Sequence, residues 1–290
     1  MRIRVAHETH YRYEHPAKSV IQALRLTPRS HDGQHVARWR ISVDQDVRLS
    51  DSEDAFGNVA HVFSIAGTIE SVRVRVEGEV ETHDTAGVLR GVIERFPVSL
   101  YLRETSLTQA DEAIRAFARD VAGGETGALA TGHALMHAIG ERITVVEDPK
   151  QTATPIADAF GAGRGICQDL AHLFVACARE LKIPARYVSG LLHRRGAADA
   201  NADAGQSVRR ANASHAWAEA HVEGLGWVGF DPSLAICPME AHIRVAAALD
   251  YLGAAPVRGA HYGGDGESLD VTFDVGERST RAQSQRQSQG

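Results

Sequence analysis

Cysteine is scarce in this chain: Cys167, Cys177 and Cys237 are the three among 290 residues. An odd, sparse set does not build a disulfide framework and fits a reduced compartment. Long apolar runs are missing as well, and nothing approaches the roughly 20 residues that a membrane-spanning helix needs. The opening stretch, MRIRVAHETHYRYEH, alternates charged and apolar residues and has no continuous apolar region of the secretory type. These absences lead to the expectation of a cytoplasmic protein that does not engage a membrane. Positive charge is in deficit, with 31 Lys and Arg against 37 Asp and Glu and a formal net charge of −6. Nucleic acids and anionic surfaces recruit concentrated positive charge, so neither is expected as a partner. No HExxH, CxxC or HxH pattern occurs, and neither a metal nor another cofactor is expected. What remains is 43% hydrophobic and 23% charged, the balance of a soluble globular protein long enough for one large domain or two moderate ones.

Residues 1–88 read as an antiparallel β module. Ile3, Val5, Thr9, Tyr11 and Tyr13 share one parity, and Arg2, Arg4, Glu8, Arg12 and Glu14 take the other. A period of two marks a strand with one wet face. The same alternation returns at Trp39, Ile41 and Val43 and at Val72, Val74, Val76 and Val80, with DAFGN (54–58) as a hairpin turn between strands. A small β-sandwich is the expected arrangement. Residues 89–277 read as a mixed core. Ala113, Ile114, Phe117, Ala118 and Val121 recur at helical spacing after a Thr108 N-cap, and a second helix is expected over about 129–143. A third helix follows GAGRG, with Leu170, Leu173, Phe174, Cys177 and Leu181 on one face. Strands are expected at ARYVSGLL, SHAWAEAHVEG and GWVGFDPS, and a closing strand at Leu269, Val271, Phe273 and Val275. The polar stretch 193–212 reads equally as a lid over a site or a solvated insertion, and 278–290 as a disordered tail. The fold class is therefore α+β.

Cys167 follows a Gly-rich turn and opens a helix, where unpaired N–H groups and the positive dipole end favour a thiolate. Gly161, Gly163 and Gly165 would let a substrate backbone come close. Cys177, mid-helix on the apolar face, reads as a core residue, and Cys237 as an inert loop residue. His215, Trp217 and Glu219 share one face of a strand; Trp227, Gly229 and Asp231 share a parity on the next. A turn near 223–226 sets Asp231 opposite about residue 218, so a bulge or a diagonal contact is needed for its carboxylate to reach His215. A core histidine and a turn aspartate would give the same local pattern. If the three groups meet, His215 can take the Cys167 proton while Asp231 orients its ring. Trp217 reads either as a wall of the acyl groove or as a core aromatic.

Together, GRGICQDLAHLFVACARELKIPARYVSGLL and SHAWAEAHVEGLGWVGFDPS closely resemble the bacterial transglutaminase-like family. The resemblance implies a papain-like core, with a helix bundle carrying the cysteine packed on an antiparallel sheet carrying the histidine and aspartate, preceded by the β-sandwich. Carried over residue by residue, it implies Cys167 as nucleophile, His215 as base and Asp231 as third member of a catalytic triad. The activity implied is acyl transfer from an amide bond of a peptide or protein, by hydrolysis or by transfer to an amine; a catalytically silent binding protein on the same fold is the competing reading. YLRETS, ALMHAIGERI and HIRVAAALDYLGAAPVRGAHYGG extend the likeness. The last departs from the family's GRDY-D-x-x-P pattern, since Ala248, Leu249 and Asp250 precede Tyr251 and Gly253 stands at a later acidic position.

Overall fold

The structure is a computed structural model that describes residues 1–146, 154–193, 214–264 and 266–277. The candidate lid, from residue 194 to 212, and the expected tail at 278–290 lie outside the described residues. No helix among the described residues is long and apolar enough to cross a membrane.

Two sheets organise the chain. The first is built on two very long strands, β1 (Arg2–Thr27) and β4 (Val59–Thr82), paired antiparallel. On the free edge of β4 lie β2 (Gln34–Val43) and β3 (Ser50–Glu53), side by side along its length. On the free edge of β1 lie β12 (Val257–Tyr262) and β13 (Glu267–Glu277). The alternation expected of β1 is present: Ile3, Val5, Thr9, Tyr11 and Tyr13 are all buried. Register shifts between Arg12 and Ser19 bend both long strands. The two halves thereby share a single core, in which Tyr11 and Tyr13 meet Val20, Leu24 and Phe63. A sandwich thus forms from one folded sheet. The closing strand near the C-terminus also forms, but it pairs with β1 and not with the sheet of the core.

The second sheet has the order β11-β8-β9-β10-β5. Its strands are β5 (Val88–Leu89), β8 (Ala185–Leu192), β9 (Ser214–Val222), β10 (Gly226–Phe230) and β11 (His242–Ala248). A short parallel pair, β6 (Thr144–Val145) with β7 (Arg164–Gly165), stands apart. Helices α1 (Glu112–Ala122), α2 (Ala128–Arg142), α3 (Ile156–Ala162) and α4 (Cys167–Glu180) cover one face of the sheet, and α5 (Tyr251–Ala254) is a single turn beside β11. The cap of α1 differs from expectation. Asp111, not Thr108, accepts the Ile114 N–H at 2.9 Å, because Thr108 is buried and its hydroxyl accepts from Arg179. On β9, Ala218, Ala220 and Val222 face the helices and pack with Leu170, Phe174, Cys177 and Phe230. Small side chains here let α4 lie close against the sheet.

The folded β module is fastened to β11, the edge strand of the second sheet. The Gln34 side chain accepts from the Arg244 N–H (2.8 Å) and donates to the Arg244 carbonyl (2.9 Å). Asn58 makes the same pair with Ala247 (2.8 and 2.9 Å). Two amide side chains thus stand in for a neighbouring strand and satisfy an edge that would otherwise be open. An apolar seam of Ile3, Val5 and Val80 against Leu191, Ile243 and Val245 runs beside them.

Glu219, 2% exposed, sits between Arg186 (2.6 Å) and Arg244 (2.7 Å) on the sheet face away from the helices. Burial alone would raise its pKa, but the two guanidinium groups hold it down to about 2. A carboxyl depressed in this way contributes stability that is complete above its unfolded value near ~4.3 and is lost as pH falls toward 2. Glu219→Gln should cost about 3–5 kcal/mol at pH 7, because Arg244 loses its carboxylate partner and buried Arg186 keeps only Glu94. Denaturant unfolding at pH 7 and between pH 4.5 and 2 measures both effects, and the decline across the acid range should be shallower in the variant than in wild type.

Candidate active site

The site is assembled at the start of α4. Cys167 is the first helical residue, so its N–H belongs to the first turn, which has no intrahelical acceptor. Asp169, two residues on and 4% exposed, fixes this turn in place. One of its oxygens accepts the Ile166 N–H at 3.0 Å, and the other accepts the Thr154 N–H (3.1 Å) and hydroxyl (3.3 Å). The glycines before it serve chain geometry. Gly163 adopts φ +63° to end α3, and a side chain at Gly165 would stand 3.0 Å from the Asp169 carboxylate. The turn is tied down from β6 and the residue after it, since the Thr144 and Val146 N–H groups donate to the Gly163 and Gly165 carbonyls.

His215 and Asp231 come together diagonally. The hairpin pairs Phe230 with Ala218, which puts Asp231 one step further along, opposite Trp217 and one same-face neighbour from His215. No bulge is required. The His215 Nε2 lies 2.5 Å from the Asp231 Oδ2, with the pair 5% and 0% exposed. The Cys167 sulfur lies close enough to the same imidazole to act on its charge. Since Nε2 is engaged by Asp231, Nδ1 is the atom left for the sulfur. Burial alone would lower the His215 pKa. The Asp231 charge, the hydrogen bond to it and the contact with Cys167 outweigh burial and raise it to about 10. His215 is therefore an imidazolium at neutral pH, placed against a sulfur at a helix N-terminus.

Asp231 is also held by groups the sequence did not single out. The Ser233 N–H (3.0 Å) and hydroxyl (2.7 Å) donate to Oδ1, and His242 Nε2 lies 3.3 Å from Oδ2. Because His242 Nδ1 accepts the Met239 N–H at 3.2 Å, its Nε2 carries the proton and donates to Asp231. These donors, together with His215, overcome burial and keep the Asp231 carboxyl well below the usual carboxylate range. The signal for Ser233 was its place two residues beyond Asp231 in a turn; His242 sits on β11, three places from β10 in the sheet, and left no local signal. His215, Asp231 and His242 bring one ligand-type atom each within 4.8 Å, so this trio is also where a metal ion could be held.

Trp217, read as a groove wall or as a core aromatic, lies beside His242. At 2% exposure it packs on Val188 and Ala247, and its ring meets His242 edge-on at 5.4 Å. It borders a half-open cleft shared with His31, Gln34, Glu219, Met239 and Arg244, and so braces His242 from behind. Gly190 makes this possible, because an added Cβ would lie 2.4 Å from the Trp217 ring and 2.4 Å from the Ile243 carbonyl. Of the other cysteines, Cys177 is fully buried and burial pushes its thiol up, as it also does for Cys237. Near the departure from the family pattern, Asp250 caps α5 by accepting the Gly253 N–H (3.1 Å), and the Tyr251 N–H donates to His172 on α4 (2.9 Å).

The chain's matches agree with this architecture. Residues 3–81 match the bacterial transglutaminase-like N-terminal region and residues 115–232 the transglutaminase-like superfamily. An uncharacterised protein of Mycobacterium leprae is 30% identical over 284 residues, which is 94% of this chain and 98% of that protein. One from Mycobacterium bovis is 25% identical over 299 residues, covering 94% and 92%. The crystal structure of a candidate cysteine protease from Cytophaga hutchinsonii has the same fold, with a TM-score of 0.75 at 17% identity over 97% of this chain and 91% of that one. Fold and sequence thus define a protein of the transglutaminase-like superfamily. Within it, the chain belongs to the bacterial transglutaminase-like family, with the N-terminal region and the core in one polypeptide.

Two expectations follow. Gly190→Ala should displace Trp217 and with it His242, costing about 1–3 kcal/mol by overpacking, read as a lowered thermal midpoint. The stability gap between wild type and Asp231→Asn should be complete between about pH 4 and 6.5 and should narrow as pH rises toward 10. A raised histidine stabilises fully below its unfolded pKa of ~6.5 and stops doing so above its folded value. Denaturant unfolding of both proteins across that range measures the gap.

Proposed function

We propose that this protein is a cysteine-dependent acyl-transfer enzyme acting on amide bonds of peptides or proteins, and that it passes the acyl group to water. The observation that carries this reading is the position of one imidazolium, His215, between a buried carboxylate at 2.5 Å and the sulfur of Cys167 at the start of α4. A cation and a helix N-terminus both favour a thiolate at that place. Cys167 attacks the amide carbon, a C–S bond forms, and the carbonyl π electrons move to oxygen. As the tetrahedral species collapses, the C–N bond breaks and His215 gives its proton to the departing amine. Water then adds to the thioester with His215, now neutral, taking its proton, and collapse releases the acid and restores the thiolate. Asp231 keeps the ring oriented and compensates its charge throughout, while its own donors prevent it from taking the proton.

The test needs no substrate. Iodoacetamide labelling at pH 7, followed by peptide mass spectrometry, should modify Cys167 far faster than Cys177 or Cys237. His215→Ala should slow it by about 10²-fold, the scale of losing a positioned proton-transfer group. Labelling of Cys167 that is no faster than that of Cys237, and indifferent to His215→Ala, would falsify the reading and favour a binding protein on the same scaffold. Added primary amine, offered with a peptide library once turnover is found, separates release to water from transfer to nitrogen.

A further inference from the structure

The tetrahedral species requires two donors for its oxyanion, and the Cys167 N–H supplies one. Among the six residues immediately before the cysteine, Gly161, Ala162, Gly163, Arg164, Gly165 and Ile166, the one polar side chain is that of Arg164, which is exposed to solvent. Immediately downstream, however, Gln168 folds its side chain back onto the nucleophile: the Cys167 thiol donates to Gln168 Oε1 at 3.1 Å. Gln168 lies on the first turn of α4, next to the N–H groups of that turn, and is partly exposed, so its amide stands at the mouth of the site.

We propose that Gln168 is the second oxyanion donor, a catalytic residue whose amide changes ends as the sulfur loses its proton. With the thiol protonated, Oε1 faces the sulfur as acceptor. Once the proton is on His215, an oxygen pointed at a thiolate is repelled, and rotation of the amide by half a turn brings Nε2 to the same place. An N–H there donates first to the thiolate and then to the oxyanion, which forms within one carbon of the sulfur. A single primary amide can serve both states because it carries an acceptor and two donors on one carbon. A hydroxyl or carboxylate at this position could not do so equally. This inference rests on the acyl-transfer reading and names a group within that site.

An aldehyde tests it separately from nucleophilicity. Addition of the Cys167 thiol to N-acetyl-phenylalaninal forms a C–S bond and delivers the thiol proton, through His215, to the former carbonyl oxygen. The adduct occupies the oxyanion position and protects Cys167 from iodoacetamide, whereas alkylation itself develops no oxyanion. Affinity for the aldehyde is read from that protection in wild type, Gln168→Glu and Gln168→Ala. Gln168→Glu is isosteric, so the fold is preserved while the N–H is lost, and the effect of its added charge on the sulfur is read from the alkylation rate. We expect both variants to lose aldehyde affinity by about 10²-fold beyond any change in alkylation rate, the scale of removing one oxyanion donor. Wild-type affinity in either variant overturns the assignment, and so does a wild-type Cys167 that is alkylated selectively but not protected by the aldehyde. Cys167 that is not alkylated selectively in wild type marks failure of the acyl-transfer reading itself, and this assignment falls with it.

Discussion

A single buried carboxylate governs the arrangement of this molecule's site. Asp231 has no exposed side-chain surface, and an ion in that position is tolerated only when its lone pairs are taken up. Ser233, His215 and His242 do this from the turn after β10, from β9 and from β11. The three donors come from segments that must be correctly placed before the charge can be buried. Folding and site formation are therefore the same event at this point. The cost of burying Asp231 falls on anything that disturbs the hairpin, the edge strand or the glycine between them.

Support for that arrangement reaches back into the β module. Gln34 and Asn58 complete the outer edge of β11, the strand that carries His242. Glu219, two residues from Trp217 on the same face of β9, is locked by arginines from β8 and β11. The module is thus part of the frame that fixes the distance between β9 and β11, in addition to covering the sheet. Asp169 does the corresponding work at α4, fixing the turn from which Cys167 projects. Sheet and helix each present one rigid half of the nucleophile–base pair.

What could be read from the amino-acid order follows from the range of the forces involved. Strand and helix periodicities are local, so the inward faces of β1, β4 and α4 and the turn at 54–58 were legible. The Cys167, His215 and Asp231 motifs were legible through their resemblance to a family, while the diagonal contact joining the last two depended on a register that the turn alone left one residue uncertain. Three features were out of reach. The α1 cap went to Asp111 because a distant residue, Arg179, claimed Thr108. The burial of Trp217 depended on an absent side chain at Gly190 across the strand pair. His242 joined Asp231 across sheet geometry, with no spacing in sequence to announce it.

The pairing of β12 and β13 with β1 has a consequence for how the molecule is made. Strand β1 is synthesised well before its partners on that edge, β12 and β13. Until some 230 further residues have been synthesised, a long β edge has no partner from its own chain. Contacts so distant in sequence are costly in loop entropy and slow to form. The whole second sheet and its helices lie in sequence between the two halves of the first sheet, so the β module is completed only after they have been synthesised. A chain stalled early would carry an open β template in place of an independently finished domain.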